Sequence, residues 1–350
     1  MFHSPPRYPQ RMVRFTVLAS GSKGNATIVT GGRTRILIDA GLSCRELFRR
    51  MKLAGEEPES LSAILITHEH QDHINGLAVT ARKLGIPVYF TEATHRAWMR
   101  LLAPRRQMTY AQWLEQIRKQ TAERQAEADC TTPEGEPDDP DTDSFENEQA
   151  IGPQMPPPIC LTPAEAESET GDESIPSRKQ DPTWLPAVEY FRAGEPFQIG
   201  DIAISPFTIP HDAADPVGFR LSSEGIHMAV ATDLGYIPPN VKAQLKALHL
   251  LLLESNHDLE MLRDGPYPWQ VKQRVLSRVG HLSNDATAEY LSGDYDGQAV
   301  YVILGHLSES NNLPDIARVT AMSALQNHPC LLANRLLLAE QHTPLETINF

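Results

Sequence analysis

The sequence of 350 residues contains no apolar run of about 18 residues, the length that a membrane-spanning helix needs. Its four cysteines, Cys44, Cys130, Cys160 and Cys330, form no CxxC pair, so the pattern indicates neither a disulfide framework nor a cysteine zinc site. The first 14 residues lack the apolar core of a secretory signal. These absences predict a protein of the reducing cytoplasm with no membrane partner, and residues 1–12 are expected to form a disordered leader.

The acidic charge of the chain is concentrated in one segment. Residues 121–181 hold 17 acidic and three basic residues, a formal charge of −14 that equals the charge of the whole chain. Nine prolines and a single aromatic residue lie in the same segment. Such a composition cannot bury enough apolar surface to offset the entropy of ordering the chain. We therefore predict a disordered, acidic, proline-rich insert at 121–181, able to bind a basic partner.

The chain outside this segment is formally neutral, and residues 13–120 and 182–350 are expected to form a single domain. Strand-type segments open each half of this domain, and helical segments follow them. Before the insert, the pattern predicts strands at 15–19, 26–30, 35–39, 61–67 and 86–90, and helices at 74–84, 92–102 and 110–128. After the insert, it predicts strands at 188–191, 197–199, 202–209, 218–221, 228–232, 249–253 and 300–304, and helices at 239–248, 269–279, 284–291 and 314–327. This order predicts an α/β fold in which two sheets pack face to face with helices outside.

The densest group of ligand-type residues is the run Thr67-His68-Glu69-His70-Gln71-Asp72-His73, which directly follows a predicted buried strand. Imidazole nitrogens and carboxylate oxygens suit zinc, manganese or iron. His68 and His70 are two residues apart, so an extended segment points both side chains the same way. Asp72 and His73 begin the predicted helix and point elsewhere. One turn can therefore supply two neighbouring metal sites.

This HxHxDH run resembles the signature of the metallo-β-lactamase superfamily. Further blocks resemble, in the same order, the branch of exonucleases in that superfamily that includes YycJ and WalJ (VicX). These blocks are 18–26, 38–41, 209–213, 254–258, 280–284 and 305–308. The resemblance implies a four-layer αβ/βα sandwich with two divalent metal ions, Zn or Mn, as cofactors. The redox branch has Glu at the position of His70, so His70 favours a hydrolase.

The resemblance also implies the remaining metal ligands, one residue at a time. His211 matches the third histidine of the first site, Asp233 the carboxylate that bridges both ions, and His306 the last histidine of the second site. The alternative role for Asp233 is a helix N-cap, but the helix predicted at 239–248 begins too far away. The implied metal ligands are His68, His70, Asp72, His73, His211, Asp233 and His306, of which Asp72 is also expected to take part in catalysis.

Two interpretations of His281 remain open. It is either the C-cap of a helix that ends near Gly280, or the proton donor to the leaving group. The second role follows from the resemblance to RNase Z-type nucleases, and Glu254 would then be its orienting carboxylate. His257 belongs to a matched block but could equally start a helix, so its role stays open.

Two features upstream of the HxHxDH run have expected roles around the site. Asp39 is expected to orient a ligating histidine through a carboxylate–imidazole hydrogen bond. The Ser20–Asn25 loop is rich in glycine and small polar residues, so Ser20, Ser22 and Asn25 are expected to bind a substrate phosphate. The alternative for this loop is a plain hairpin turn.

The function that the resemblance implies is hydrolysis of phosphodiesters with a hydroxide bridging two metal ions, most specifically as a 5′-to-3′ exonuclease. The expected partner is nucleic acid, with DNA favoured over RNA. Two alternatives stay open. One is a small-molecule hydrolase of thioesters, lactones or β-lactams on the same metal site. The other is a non-catalytic regulatory protein that uses the acidic insert to hold a basic partner.

Overall fold

The computed structural model describes residues 13–102, 118–119, 181–326 and 335–350. The predicted leader lies outside these residues, as do the predicted insert up to residue 180 and nearly all of the helix predicted at 110–128. Residues 13–102, 181–326 and 335–350 belong to one unit of the chain. Within the described residues, no helix combines the length and the apolar composition needed to cross a membrane.

Fourteen strands of the described chain form two sheets of seven strands each. In chain order they are β1 (Val13–Ala19), β2 (Ala26–Gly31), β3 (Thr34–Ile38), β4 (Ala63–Leu65), β5 (Val88–Phe90), β6 (Val188–Tyr190), β7 (Phe197–Ile199), β8 (Ile202–Thr208), β9 (Val217–Ser223), β10 (Ile226–Ala231), β11 (Leu250–Glu254), β12 (Tyr301–Gly305), β13 (Arg335–Leu338) and β14 (Ile348–Asn349). The first sheet has the order β14-β1-β2-β3-β4-β5-β6, and the second has the order β13-β12-β11-β10-β9-β8-β7. Each sheet joins an antiparallel part (β1–β3, β8–β10) to a parallel part (β3–β6, β10–β13).

Helices flank both sheets. They are α1 (Cys44–Leu53), α2 (Gln71–Ile74), α3 (Leu77–Leu84), α4 (Glu92–Leu102), α5 (Pro239–Gln244), α6 (Leu259–Asp264), α7 (Trp269–Val275), α8 (Asn284–Gly293) and α9 (Pro314–Leu325), with a 3-10 turn at Pro58–Ser60. The helix predicted at 74–84 is two helices, because the chain breaks at Gly76. A Cβ at Gly76 would lie 2.0 Å from the carbonyl oxygen of Leu42, so the backbone packs too closely for any other residue. The break separates the short α2, which carries Asp72 and His73, from α3.

Strand β11 shows how the four layers are held together. Its alternate side chains, Leu250 and Leu252, pack in the core between the two sheets, while Leu251 and Leu253 pack against the helices outside. All four are buried, as expected for a parallel strand that is covered on both faces. Each such leucine stabilises the fold by about 2 kcal/mol relative to an exposed one. A third cluster packs α1, α3 and α4 on the outer face of the first sheet, which confirms the predicted αβ/βα sandwich.

The ends of five strands place the chemically important residues at one edge of the sandwich. Asp39 follows β3, Thr67 and His68 follow β4, and Asp233 follows β10. Glu254 is the last residue of β11, and His306 follows β12. Because β3 runs parallel to β4, and β10, β11 and β12 run parallel to one another, their carboxyl ends meet at the same edge. Ligands of open α/β sheets bind at this end of the strands.

Candidate metal centre

Three residues of this edge have a left-handed backbone that non-glycine residues rarely adopt. Their φ angles are 60° for Asp39, 62° for Asp233 and 55° for His306. Such a conformation costs on the order of 1–2 kcal/mol per residue. Each residue follows directly, or within two positions, the end of a buried strand, so the surrounding sheet enforces the conformation. The turn aims each side chain across the sheet edge, and strain of this kind concentrates at functional sites.

His68, His70 and His211 form the first group of ligand-type side chains, with one nitrogen of each within 4.8 Å of the others. His211 Nδ1 lies 3.1 Å from the carbonyl oxygen of Gly280 and donates a hydrogen bond to it. The other ring nitrogen, Nε2, is then unprotonated and keeps its lone pair. His211 Nε2 lies 3.1 Å from His70 Nδ1. Burial lowers the pKa of His68 well below its usual value, and its Nε2 has no hydrogen-bond partner. Such a neutral, unpartnered imidazole fits a metal ligand.

Asp72, His73, Asp233 and His306 form the second group. His73 Nε2 lies 3.4 Å from Asp72 Oδ2 and 3.3 Å from Asp233 Oδ2. His306 Nε2 lies 3.5 Å from Asp72 Oδ2. His306 Nε2 and Asp233 Oδ2 are buried without a hydrogen-bond partner in the described part of the chain, although buried polar atoms almost always have one. These orphaned atoms, aimed into one small volume, fit a divalent cation.

The charges of the second group also favour a bound cation. Burial alone would raise the pKa of Asp233, but His306 and His73 hold it well below its usual range. Burial alone would lower the pKa values of His73 and His306, but the neighbouring carboxylates raise both well above the usual value. The buried carboxylates are therefore stabilised by positive charge in this small volume. In the protein alone protons on the two imidazoles supply it, and a bound divalent ion would supply it instead.

Asp39 lies behind His73, where the sequence analysis expected an orienting carboxylate. Its Oδ2 lies 2.8 Å from His73 Nδ1, which leaves His73 Nε2 directed at Asp72 and Asp233. Thr67 donates its backbone N–H and its hydroxyl to Asp39 Oδ1, at 2.9 and 3.0 Å. Thr67 Oγ1 is also 3.0 Å from His68 Nδ1, so this hydroxyl contacts both groups. This role of Thr67 was not predicted from the sequence, although a hydroxyl residue directly before the first histidine could have indicated it.

Glu254 contacts His281 and His306, which share the local sequence Gly-His-Leu-Ser. Its Oε1 lies 2.7 Å from His281 Nδ1 and 2.8 Å from His306 Nδ1. Its Oε2 accepts hydrogen bonds from the backbone N–H groups of Leu234 (2.8 Å) and Leu282 (3.3 Å). Burial would raise the pKa of Glu254, but His281 and His306 lower it to about 2, so the group stays an anion.

His281 is not a helix C-cap, because α7 ends at Val275 and its cap is Leu276. Its side chain is 20% exposed and its Nδ1 faces Glu254, which leaves Nε2 for other contacts. A third group of possible ligands joins His281 and Glu254 to Asp233 and His306. That group shares Asp233 and His306 with the second group, but its contacts are made by other atoms, His306 Nδ1 and Asp233 Oδ1.

The Ser20–Asn25 loop contacts the ligand-type residues directly. Ser20 Oγ accepts a hydrogen bond from the backbone N–H of His306 at 2.7 Å. Asn25 Nδ2 donates to Asp72 Oδ2 at 3.1 Å. Both side chains are buried, whereas Ser22 is exposed. The structure therefore gives Ser20 and Asn25 contacts that hold the site together, and substrate binding by this loop remains a prediction.

His257 does not start a helix, because Asp258 is the N-cap of α6 and accepts a hydrogen bond from the N–H of Met261 at 2.9 Å. The imidazole of His257 is 1% exposed, and neither ring nitrogen has a hydrogen-bond partner. Burial lowers its pKa to about 4. His257 is therefore a neutral core residue outside the three ligand groups.

Comparison with known proteins places this site in a family. The family model described as "Metallo-beta-lactamase superfamily" matches residues 19–265. The protein named Exodeoxyribonuclease YycJ from Bacillus anthracis is 30% identical over 314 residues, which cover 90% of this chain and 89% of the relative. Exodeoxyribonuclease WalJ from Streptococcus pneumoniae is 29% identical over 312 residues, which cover 89% and 88%. The crystal structure of the metallo-β-lactamase fold protein YhfI from Bacillus subtilis matches with a TM-score of 0.57 at 12% identity, covering 97% of this chain and 100% of YhfI. That last similarity supports the fold alone.

Proposed function

Because this chain belongs to the metallo-β-lactamase superfamily, we propose that it is a dinuclear metal-dependent phosphodiesterase and, more specifically, a 5′-to-3′ exonuclease on DNA. The observation that carries the proposal is the pair of adjacent ligand groups at one sheet edge, which contain the seven residues expected as ligands. The preference for DNA rests on the exodeoxyribonuclease names of relatives that match about nine-tenths of the chain.

Each of the two groups would hold one metal ion. His68, His70 and His211 would hold one divalent ion, and Asp72, His73 and His306 the other, with Asp233 shared between the two sites. When bound, such ions lower the pKa of coordinated water and offset the charge that develops on a phosphoryl oxygen. We propose Zn or Mn as the native metal, and metal analysis of the purified protein tests that choice.

Two side chains of the protein, Asp72 and His281, then act on the attacking water and on the leaving group. Asp72 is held by Asn25 at 3.1 Å, and its side chain is 21% exposed, so its carboxylate can orient an attacking water. His281 donates a proton from Nε2 to the leaving oxygen, because its Nδ1 is held by the Glu254 carboxylate at 2.7 Å. A carboxylate on one ring nitrogen fixes the tautomer and the orientation of the ring. A positioned acid of this kind contributes about 10²–10⁴ in rate.

The remaining sequence predictions complete the proposal. We infer that residues 13–120 and 182–350 form one catalytic domain in the cytoplasm, interrupted by the acidic segment 121–181. Hydrolysis needs no group from that segment, because the seven ligands, His281 and Glu254 all lie outside it.

End-labelled oligonucleotides test the function. Purified protein loaded with Zn or Mn is incubated with single- and double-stranded DNA and RNA that carry a label at either end. We expect mononucleotides to be released from the 5′ end of DNA, a chelator to stop the reaction, and Asp233→Asn to lack activity. His342→Ala is the matched control, because His342 is exposed and pairs with Glu309 rather than with the site. Hydrolysis of nitrocefin or a thioester without any release from DNA would contradict the proposal.

A further inference from the structure

A pocket of about 220 Å³ opens between the segment after β10 and helix α8. Ile237, Leu282 and Ala286 give it apolar walls. Tyr236 is 36% exposed and Tyr290 is 4% exposed, so the pocket leads from solvent toward the core. We call it the Tyr236 pocket. Its mixture of apolar walls with a few polar groups is typical of a small-ligand subsite.

The Tyr236 pocket is fixed to the catalytic groups through Glu254. The Oε2 atom of Glu254 accepts hydrogen bonds from Leu234, two residues before Tyr236, and from Leu282, which lines the pocket. Leu282 directly follows His281, the proposed proton donor. A ligand in this pocket therefore contacts a segment that directly follows His281 and is anchored to Glu254.

The inner end of the pocket holds an unused hydrogen-bonding group. The hydroxyl of Tyr290 is buried and, among the residues that the structure describes, has no hydrogen-bond partner, although buried hydroxyls nearly always have one. Burial raises the pKa of Tyr290 well above its usual value, so the group keeps its proton and can both donate and accept. At the mouth, Lys242 pairs with Asp294 at 2.5 Å, and the exposed Glu289 offers a carboxylate acceptor. A bound group with both donors and acceptors around a flat apolar ring matches these partners.

A cation and an aromatic ring stand together at the mouth of the pocket. The guanidinium carbon of Arg278 lies 4.5 Å from the centre of the Tyr236 ring, a cation–π contact between two exposed side chains. Gly235 permits this approach, because a Cβ there would lie 2.4 Å from the backbone carbon of Arg278. The same segment is tied to the metal centre, since Asp212 N–H bonds to the Val279 carbonyl at 3.0 Å. Cationic and aromatic groups side by side are the usual means of binding single-stranded nucleic acid.

We propose that the Tyr236 pocket binds one nucleobase of the substrate strand, with the base against Tyr236, its polar edge toward Tyr290 and Glu289, and its phosphate on Arg278. The inference rests on the proposed function, since it assumes that the substrate is a nucleic acid. The carboxylate of Glu289 favours bases that carry an exocyclic amine, so adenine and cytosine should be preferred over thymine at this position.

Abasic oligonucleotides test the proposal. A single abasic residue is moved stepwise along the labelled end of a DNA strand, and affinity is measured by fluorescence anisotropy in chelator, where hydrolysis cannot occur. We expect the wild type to lose affinity roughly tenfold at one abasic position, the scale of one stacked base. Tyr236→Leu should lose a similar factor on intact DNA and no more when that position is abasic.

Matched variants separate the pocket from general effects on charge and aromatic surface. Tyr190→Leu and Arg192→Gln alter an exposed tyrosine and an exposed arginine in and beside β6, away from the pocket. Neither should change the binding of intact DNA, whereas Arg278→Gln should weaken it. Glu289→Ala removes the carboxylate acceptor at the mouth of the pocket and should abolish the preference among bases at the sensitive position.

Three outcomes are distinguishable. If no abasic position weakens binding by the wild type, or if Tyr236→Leu and Tyr190→Leu behave alike, the base subsite is wrong while DNA hydrolysis by the wild type still supports the proposed function. If the wild type binds DNA with one sensitive position but does not hydrolyse it with Zn or Mn, the proposed function fails and the subsite stands. If it neither binds nor hydrolyses DNA, both fail.

Discussion

His306 and His281 share the local sequence Gly-His-Leu-Ser and contact the same carboxylate, yet their removal should have different consequences. His306 is 2% exposed, and its Nε2 is orphaned beside Asp72 at 3.5 Å. Truncation to alanine removes one ligand of the second group and should lower metal occupancy together with activity. His281 is 20% exposed, and its Nδ1 lies 4.0 Å from Asp233, so its truncation should leave both metals bound.

The expected rate loss for His281→Ala is about 10²–10⁴, equivalent to roughly 3–5 kcal/mol of transition-state stabilisation. The assay combines metal-to-protein ratios of both purified variants with initial rates on end-labelled DNA. A proton donor is needed least when the leaving group is a weak base. His281→Ala should therefore lose less rate on a p-nitrophenyl phosphodiester than on DNA. If His281→Ala loses a metal ion and His306→Ala keeps both, the roles are reversed, with His281 as the ligand and His306 as the proton donor.

Three further changes test other parts of the account. His70→Ala should abolish hydrolysis and empty the first site, while circular dichroism and the melting temperature show that the fold survives; activity retained at saturating Zn and Mn would count against the site. Deletion of residues 125–180 should leave solubility and metal content unchanged, because all proposed ligands lie outside the segment; an insoluble or metal-free product would refute the proposed domain boundaries. The pKa of His257 is lowered to about 4, so the folded state resists a proton that the unfolded chain takes up near pH 6.5. Stability should fall as the pH drops from 6.5 to 4, by about 3 kcal/mol from this group. Urea unfolding in chelator at both pH values should show a loss about 3 kcal/mol smaller for His257→Leu than for the wild type, and equal losses would contradict the assignment.

The division of the HxHxDH run between two groups was predictable from spacing alone. His68 and His70 are two residues apart in an extended segment, and the structure places them together with His211. Asp72 and His73 lie on α2, and the structure places them in the other group. Local periodicity decides both placements, so no information about distant residues was needed. The strand-end positions of Asp233 and His306 were predictable for the same reason, since each follows an apolar run.

Contacts between distant segments could not be predicted in this way. Glu254 meets His306 because β11 and β12 are parallel neighbours in the register Glu254 with Gly305, and no local pattern states that register. Ser20 meets the backbone of His306 across 286 positions of the chain. The break before α3 depends on how closely Gly76 packs against Leu42. Each of these contacts depends on tertiary packing, which local residue propensities do not predict.

Titration of the metal-free protein with Mn or Zn, while the release of nucleotides from 5′-labelled DNA is followed, tests the central claim most directly. Two adjacent ligand groups with a shared Asp233 predict little activity at one metal ion per chain and full activity as the second ion binds. His342→Ala should follow the same curve, and Asp233→Asn should stay inactive at every metal concentration. Full activity at one ion per chain, or no release of nucleotides at any ratio, would contradict the account.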